Sequence, residues 1–341
     1  MSKKSIRNKT IDTTIEDGEQ YLEKCIQVDS PIDNIEKIVD KTIFGNTFDV
    51  MDKLPREFAN LIIVDPPYNL TKDFNGNKFH KKKCTEYEDY TRQWMEMVYP
   101  LLKPTGSIYV CCDWQSSLII GRVLGEFFKI RNRITWQREK GRGAKSNWKN
   151  GLEDIWFATK SDDYIFNINN VKVRKKVIAP YRENGKPKDW VESGLGNYRD
   201  THPFNFWDDI TIPFWSMPEN TAHPTQKSEK LIAKIILASS NEGDCVFDPF
   251  LGSGTTSVVA KKLRRHYIGV EVNKQYCLWA EERLENAVKN TEIQGLIDGV
   301  FWERNSLQDQ KQLTKNRVNN KNNSGMKREH TIFDILSAED K

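Results

Sequence analysis

The chain has 341 residues, a formal net charge of +4, and 38% hydrophobic and 29% charged residues. That length suits one large domain or two modest ones, and no apolar run approaches the length of a membrane span. The polar start Met1-Ser2-Lys3-Lys4-Ser5 is not a secretory signal. The cysteines Cys25, Cys84, Cys111, Cys112, Cys245 and Cys277 include no CxxC pair, which argues against a zinc site or a disulfide framework and for a cytoplasmic protein.

Residues 1–40 are a mostly polar extension. From residue 41 strand and helix patterns alternate. A short strand at 42–44 ends at Gly45-Asn46, a helix at 48–54 is stopped by Pro55, and Leu61-Ile62-Ile63-Val64 is a buried strand. Helical spacing runs over 90–102, with Pro100 in its last turn, followed by a strand at 107–112. A helix at 118–128 and a strand pair at 130–137 and 154–159 complete a first half, 41–163. Residues 164–220 lose the rhythm and are rich in charge, Asn, Pro and aromatics, which reads as an inserted module. Regularity returns over 221–290, with helices at 228–239, up to 263 and at 273–288 around strands at 245–247 and 267–270. The segment 291–341 is a polar tail with the run Asn319-Asn320-Lys321-Asn322-Asn323. The alternation predicts an α/β fold with a doubly wound, largely parallel sheet.

Two motifs carry chemistry. Asp65-Pro66-Pro67-Tyr68 follows an apolar strand, so it falls at the carboxyl end where such sheets bind ligands. Asp65 and the Pro66 carbonyl can accept the two hydrogens of an exocyclic amine, the prolines preorganise both acceptors, and Tyr68 offers a ring for stacking a flipped base. Asp248-Pro249-Phe250-Leu251-Gly252-Ser253-Gly254 places a glycine turn between a strand and a helix, where free N–H groups meet a ligand. Glu271 ends the next strand, about 20 residues on, in position for ribose hydroxyls. Basic clusters at 78–83, 129–149 and 172–176 are suited to phosphate contacts, with Arg138, Lys140, Arg142 and Lys145 the leading candidates.

These motifs resemble those of the amino-group DNA methyltransferases of the permuted β group, over about residues 41–163 and 221–290. His223-Pro224-Thr225-Gln226-Lys227, just before the glycine loop, matches a third family segment. The resemblance implies a circularly permuted, Rossmann-like methyltransferase fold, S-adenosylmethionine as cofactor and duplex DNA as partner. It makes Asp65, Pro66 and Tyr68 catalytic. It assigns Asn46, Thr225, Lys227, Asp248, Phe250, Gly252, Gly254 and Glu271 to the cofactor, with Lys227 expected at the methionine carboxylate and Asn46 over the adenine. Asn46 departs from the family's frequent Asp, and Ser228 from its usual Pro after Lys227. Residues 164–220 take the place of the target-recognition region. The expected activity is transfer of a methyl group to adenine N6, with cytosine N4 as the alternative because that group more often has Ser at the Asp65 position. A catalytically silent specificity subunit would not need the cofactor residues, and an RNA or protein methyltransferase fits the permuted order and basic clusters less well. No metal is expected. A homodimer and a cognate restriction endonuclease are compatible with this reading.

Overall fold

Eight strands form the central sheet: β1 (Lys41–Phe44), β2 (Ala59–Val64), β3 (Leu102–Cys112), β4 (Lys129–Gln137), β5 (Leu152–Thr159), β6 (Phe206–Trp207), β7 (Cys245–Asp248) and β8 (His266–Glu271). In the computed structural model, which describes residues 5–138, 145–146, 148–177, 181–193, 196–306 and 308–312, they lie in the order β1-β8-β7-β2-β3-β5-β4-β6. The run from β1 through β3 is parallel, β5 is antiparallel to both β3 and β4, and β6 pairs in parallel with β4.

Strand side chains alternate between two cores. Leu61 and Ile63 pack on one face of β2, Ile62 and Val64 on the other; Tyr109 and Cys111 are likewise separated from Ile108 and Val110. The near-continuous apolar runs noted in the sequence are therefore strands covered on both faces. Helices α1 (Cys84–Val98) and α2 (Trp114–Phe127) cover one face. Helices α3 (Glu229–Ser239), α4 (Thr255–Lys262) and α5 (Lys274–Lys289) contribute to the core on the other. This is the doubly wound α/β architecture.

Some boundaries differ from expectation. Helix α1 starts at Cys84 rather than 90, where the Glu86 side chain reaches back to accept the Lys83 backbone N–H, a local cap that hydrophobic spacing does not show. It ends at Val98; Pro100 lies in a 3-10 turn, Tyr99–Leu101, and β3 begins directly at Leu102.

The segment 164–220 is less separate than its composition suggested. Phe206–Trp207 joins the main sheet beside Thr135 and Trp136. Val173–Lys176, Val191–Ser193 and Gly196–Thr201 belong to a second sheet, which Leu296–Ile297 and Val300–Trp302 complete. The stretch just after 291 is thus sheet rather than loose tail: Phe301 and Trp302 are buried, and apolar side chains of this size bring strand pairing with them. Residues 305–306 and 308–312 belong to a separate unit, in which 308–312 are helical. The described part of the extension, 5–40, is anchored too. Ile11 bridges Thr221, and the Trp279 and Gln275 side chains donate to the Thr13 carbonyl. No helix among the described residues is long and apolar enough to cross a membrane.

Candidate active site

The two motifs meet because their strands are neighbours. Phe247 of β7 lies opposite Ile62 of β2, so Asp65 and the glycine loop leave the sheet side by side at its carboxyl edge. On the far side of β7, β8 ends at Glu271, and Phe44 of β1 lies opposite Glu271, which brings Asn46 to the same edge.

The segment after β2 is firmly held. The Tyr87 hydroxyl donates to the Pro67 carbonyl at 3.0 Å. Asn69 donates to the Lys82 carbonyl and accepts the Lys82 N–H, while its own N–H goes to the Ser116 hydroxyl. Asp65 sits in a small charge cluster. The Lys227 ammonium lies 2.9 and 2.8 Å from its two carboxylate oxygens and 3.0 Å from the Tyr68 hydroxyl. Tyr68 in turn donates toward Asp65 at 2.9 Å and Glu153 at 3.3 Å. Glu153 lies 3.5 Å from Lys227 and pairs with Arg138 on its other side. Burial opposes charge on Lys227, but the Asp65 and Glu153 carboxylates outweigh it and raise the pKa of the ammonium. Burial, then the same two carboxylates, push the Tyr68 phenol well above its ordinary value. Lys72, on the hairpin formed by Lys72–Phe74 and Asn77–Phe79, has its pKa lowered by burial and by Lys227.

At the glycine loop the Gly252 N–H donates to one Glu271 oxygen and the Asn273 N–H to the other, both at 2.8 Å. Burial nevertheless raises Glu271 to about 7. Gly252 has φ +56°, and a Cβ there would come within 3.3 Å of His223 Nε2, so the loop leaves space that any other residue would fill. Asp248 is buried, accepts the Phe250 N–H at 3.0 Å and is likewise pushed up to about 7 by burial. Gly254 serves packing: with φ +83°, its Cβ would lie 2.6 Å from that of Ala280 in α5. Arg283 holds this loop from beneath, donating to the Ser253 carbonyl, the Thr255 hydroxyl and Glu229.

The comparisons with known proteins agree with this geometry. The family model described as DNA methylase, of the N6/N4 type, matches residues 59–282. The chain belongs to this DNA methylase family. Type II methyltransferase M.HpaI of Haemophilus parainfluenzae is 34% identical over 251 residues, covering 72% of this chain and 74% of the relative. DNA adenine methyltransferase YhdJ of Escherichia coli (strain K12) is 34% identical over 252 residues, covering 72% and 82%. The solved cytosine-N4-specific PvuII DNA methyltransferase shares the fold, with a TM-score of 0.54 at 17% identity over 74% of this chain and 92% of that one.

The remaining site residues of this methylase make the following contacts. Lys227 was expected at the cofactor's carboxylate. An ammonium has three donors, and Asp65, Tyr68 and Glu153 surround it, so it faces the amine-handling side. Arg138 was expected at phosphates but turns inward to the buried Glu153. Lys145 is exposed; Lys140 and Arg142 lie outside the described residues. Arg174, in the third basic cluster, is tied to Asp200 by two hydrogen bonds of 2.8 and 2.7 Å. The amide oxygen of Asn46 caps the helix Thr47–Met51 by accepting the Phe48 N–H. Phe250 packs edge-on against Trp94. The Thr225 N–H donates to His223 Nδ1 at 3.3 Å. Sequence reasoning missed Glu153 and Arg283. Both look like ordinary charged residues in a strand and a helix, and only their burial marks them.

Proposed function

We propose that the chain methylates the N6 amino group of adenine in duplex DNA. The observation that carries this reading is the adjacency of Asp65 and the glycine loop at the carboxyl edge of β2 and β7. The adenine assignment is supported by Asp65 itself, where the cytosine-N4 group more often has Ser, and by the name of the E. coli relative. S-adenosylmethionine, the methyl donor of this family, supplies an electrophilic methyl group. The residues at this edge suit it: Glu271 is a half-buried carboxylate available to ribose hydroxyls, and the bare Gly252 backbone allows close approach. Asn46 at the same edge, and the Thr225 hydroxyl, complete the residues proposed to hold it.

Asp65 and the Pro66 carbonyl orient the target amine and raise the electron density on its nitrogen. Tyr68 presents its ring to the base while Lys227 holds its hydroxyl. Asp65 lies beside the nitrogen as the N–C bond forms, the methyl–sulfur bond breaks and positive charge develops on the nitrogen; the surplus proton passes by way of Asp65 to solvent. The Type II relatives support a further proposal, that the chain is the modification half of a restriction–modification pair. Base choice within the site is proposed to reside in residues 164–220. The decisive experiment incubates duplex DNA with the protein and isotopically labelled S-adenosylmethionine, then separates the nucleosides. Label in N6-methyl-2′-deoxyadenosine is expected; label confined to N4-methyl-2′-deoxycytidine would replace the adenine assignment.

DNA affinity should fall steeply with salt, because the exposed Lys78, Lys81, Lys83 and Lys145 displace counterions from phosphates. A fluorescence-anisotropy salt series checks this; charge reversal at these four should flatten the slope and leave the modified sequence unchanged.

Cofactor affinity should depend on pH through Glu271. Its ionised form accepts ribose hydroxyls, and in the free protein it protonates below about 7. Affinity is therefore full at pH 8 and lost as pH falls, by about tenfold between pH 8 and pH 6. Calorimetric titrations across this range should show that loss, and Glu271→Gln should bind weakly with a flat profile.

A further inference from the structure

Resting on the reading of Asp65 as the acceptor of the substrate amine, the charge cluster around it has a member that no motif includes. Glu153 projects from β5, two strands away from β2 in the sheet, and is only 6% exposed. Its carboxylate reaches three partners: Arg138 at one oxygen, and Tyr68 at 3.3 Å and Lys227 at 3.5 Å with the other. Lys227 is equally buried, so its charge is not dispersed by water.

We propose that Glu153 is a positioning residue for methyl transfer, the counter-ion that keeps Lys227 from monopolising Asp65. Asp65 and Glu153 carry two negative charges, Lys227 and Arg138 two positive ones, and the four form one contiguous chain of contacts. When an amine docks on Asp65, Lys227 gives up part of its contact with that carboxylate. The second carboxylate, already within 3.5 Å, receives the ammonium. The target nitrogen gains positive charge as the new N–C bond forms. A cluster with no net charge accommodates this, whereas a net positive one opposes it. Without Glu153, Lys227 has Asp65 as its sole carboxylate and the cluster becomes positive. Arg138 then acts against the reaction instead of balancing it. Glu153 also fixes the Tyr68 hydroxyl, and so the ring that meets the base.

This predicts an interaction between two substitutions that a purely structural ion pair does not. Glu153→Gln keeps shape and removes charge. It should lower kcat for N6-methyladenine formation on the order of 100-fold, with KM for S-adenosylmethionine changed less than about twofold. Arg138→Gln added to it restores neutrality and should recover at least about tenfold of the lost kcat. The wild type, both single variants and the double variant are compared by single-turnover kinetics and by thermal unfolding. A double variant no faster than Glu153→Gln, or coupling seen in Tm alone, would overturn the proposal, as would wild-type kcat in Glu153→Gln. Wild-type protein that modifies neither adenine nor cytosine would instead sink the functional reading on which the proposal rests.

Discussion

Asp65→Ala is expected to abolish measurable DNA methylation. Asp65 is the carboxylate that leaves the crevice at the end of β2, and both of its oxygens already meet donors, the Lys227 ammonium and the Tyr68 hydroxyl. On the proposed role, removing it takes away the acceptor for the target amine and the negative charge beside the developing positive one. Loss of a single preorganised group of this kind costs about 100- to 1,000-fold in kcat. Lys227 then faces the substrate pocket with Glu153 as its remaining carboxylate, which adds to the loss. The cofactor side should be little affected, because Glu271 and the glycine loop hold each other through the Gly252 N–H and do not use Asp65. Single-turnover methylation and calorimetric cofactor binding on the same sample test both halves. A variant that retains more than a tenth of wild-type kcat would remove Asp65 from the chemistry.

Asp209→Asn is expected to destabilise the protein by about 3–5 kcal/mol at pH 7, the usual cost of breaking a buried ion pair by removing one partner. Asp209 is buried just after β6 and lies 2.8 Å from the Lys230 ammonium and 2.6 Å from that of Lys234. These lysines project from α3, and Lys234 is only 2% exposed, between the rings of Trp207 and Phe301. Burial alone would raise the Asp209 carboxyl, but the two ammonium groups more than offset it and hold the group at about 2. Burial lowers Lys234 to about 8 despite Asp209, and Lys230 is lowered in the same way. The pH dependence follows from these directions. The depressed carboxyl contributes stability present above about 4, which is lost as pH falls toward about 2. The lysines have folded pKa values below their unfolded ones, so the unfolded chain binds more protons above about 8 and stability rises there with pH. In Asp209→Asn the lysines lose their anion and shed protons earlier. Part of the lost stability should therefore return as pH is raised from 7 to 9. Urea unfolding at both pH values checks the size and the sign.

The same two residues mark the line between what the chain shows in one dimension and what it shows in three. Asp65 was identifiable because its chemistry is local. A carboxylate, two prolines and a tyrosine follow one another directly after an apolar strand, and strand–turn order places them at the ligand edge. The glycine loop and Glu271 were legible for the same reason, as was the alternation that makes the doubly wound sheet. Asp209, Glu153 and Arg283 were not. Each is a charged residue with no neighbouring motif, and its role depends on partners 15 to 85 positions away. The inward turn of Arg138 was hidden too, since a basic run reads as surface until one member finds a buried carboxylate. Lys227 shows the limit most clearly. Its motif puts it just before the glycine loop, but which carboxylates it faces is decided by β2 and by β5 bringing Asp65 and Glu153 to meet it. Sequence by itself determined the alternating strands and helices of the central sheet and the order of the groups that share a short motif. Tertiary structure alone decided how buried charges are paired, because burial makes an unpaired charge expensive and the partner comes from whichever strand or helix the fold sets beside it.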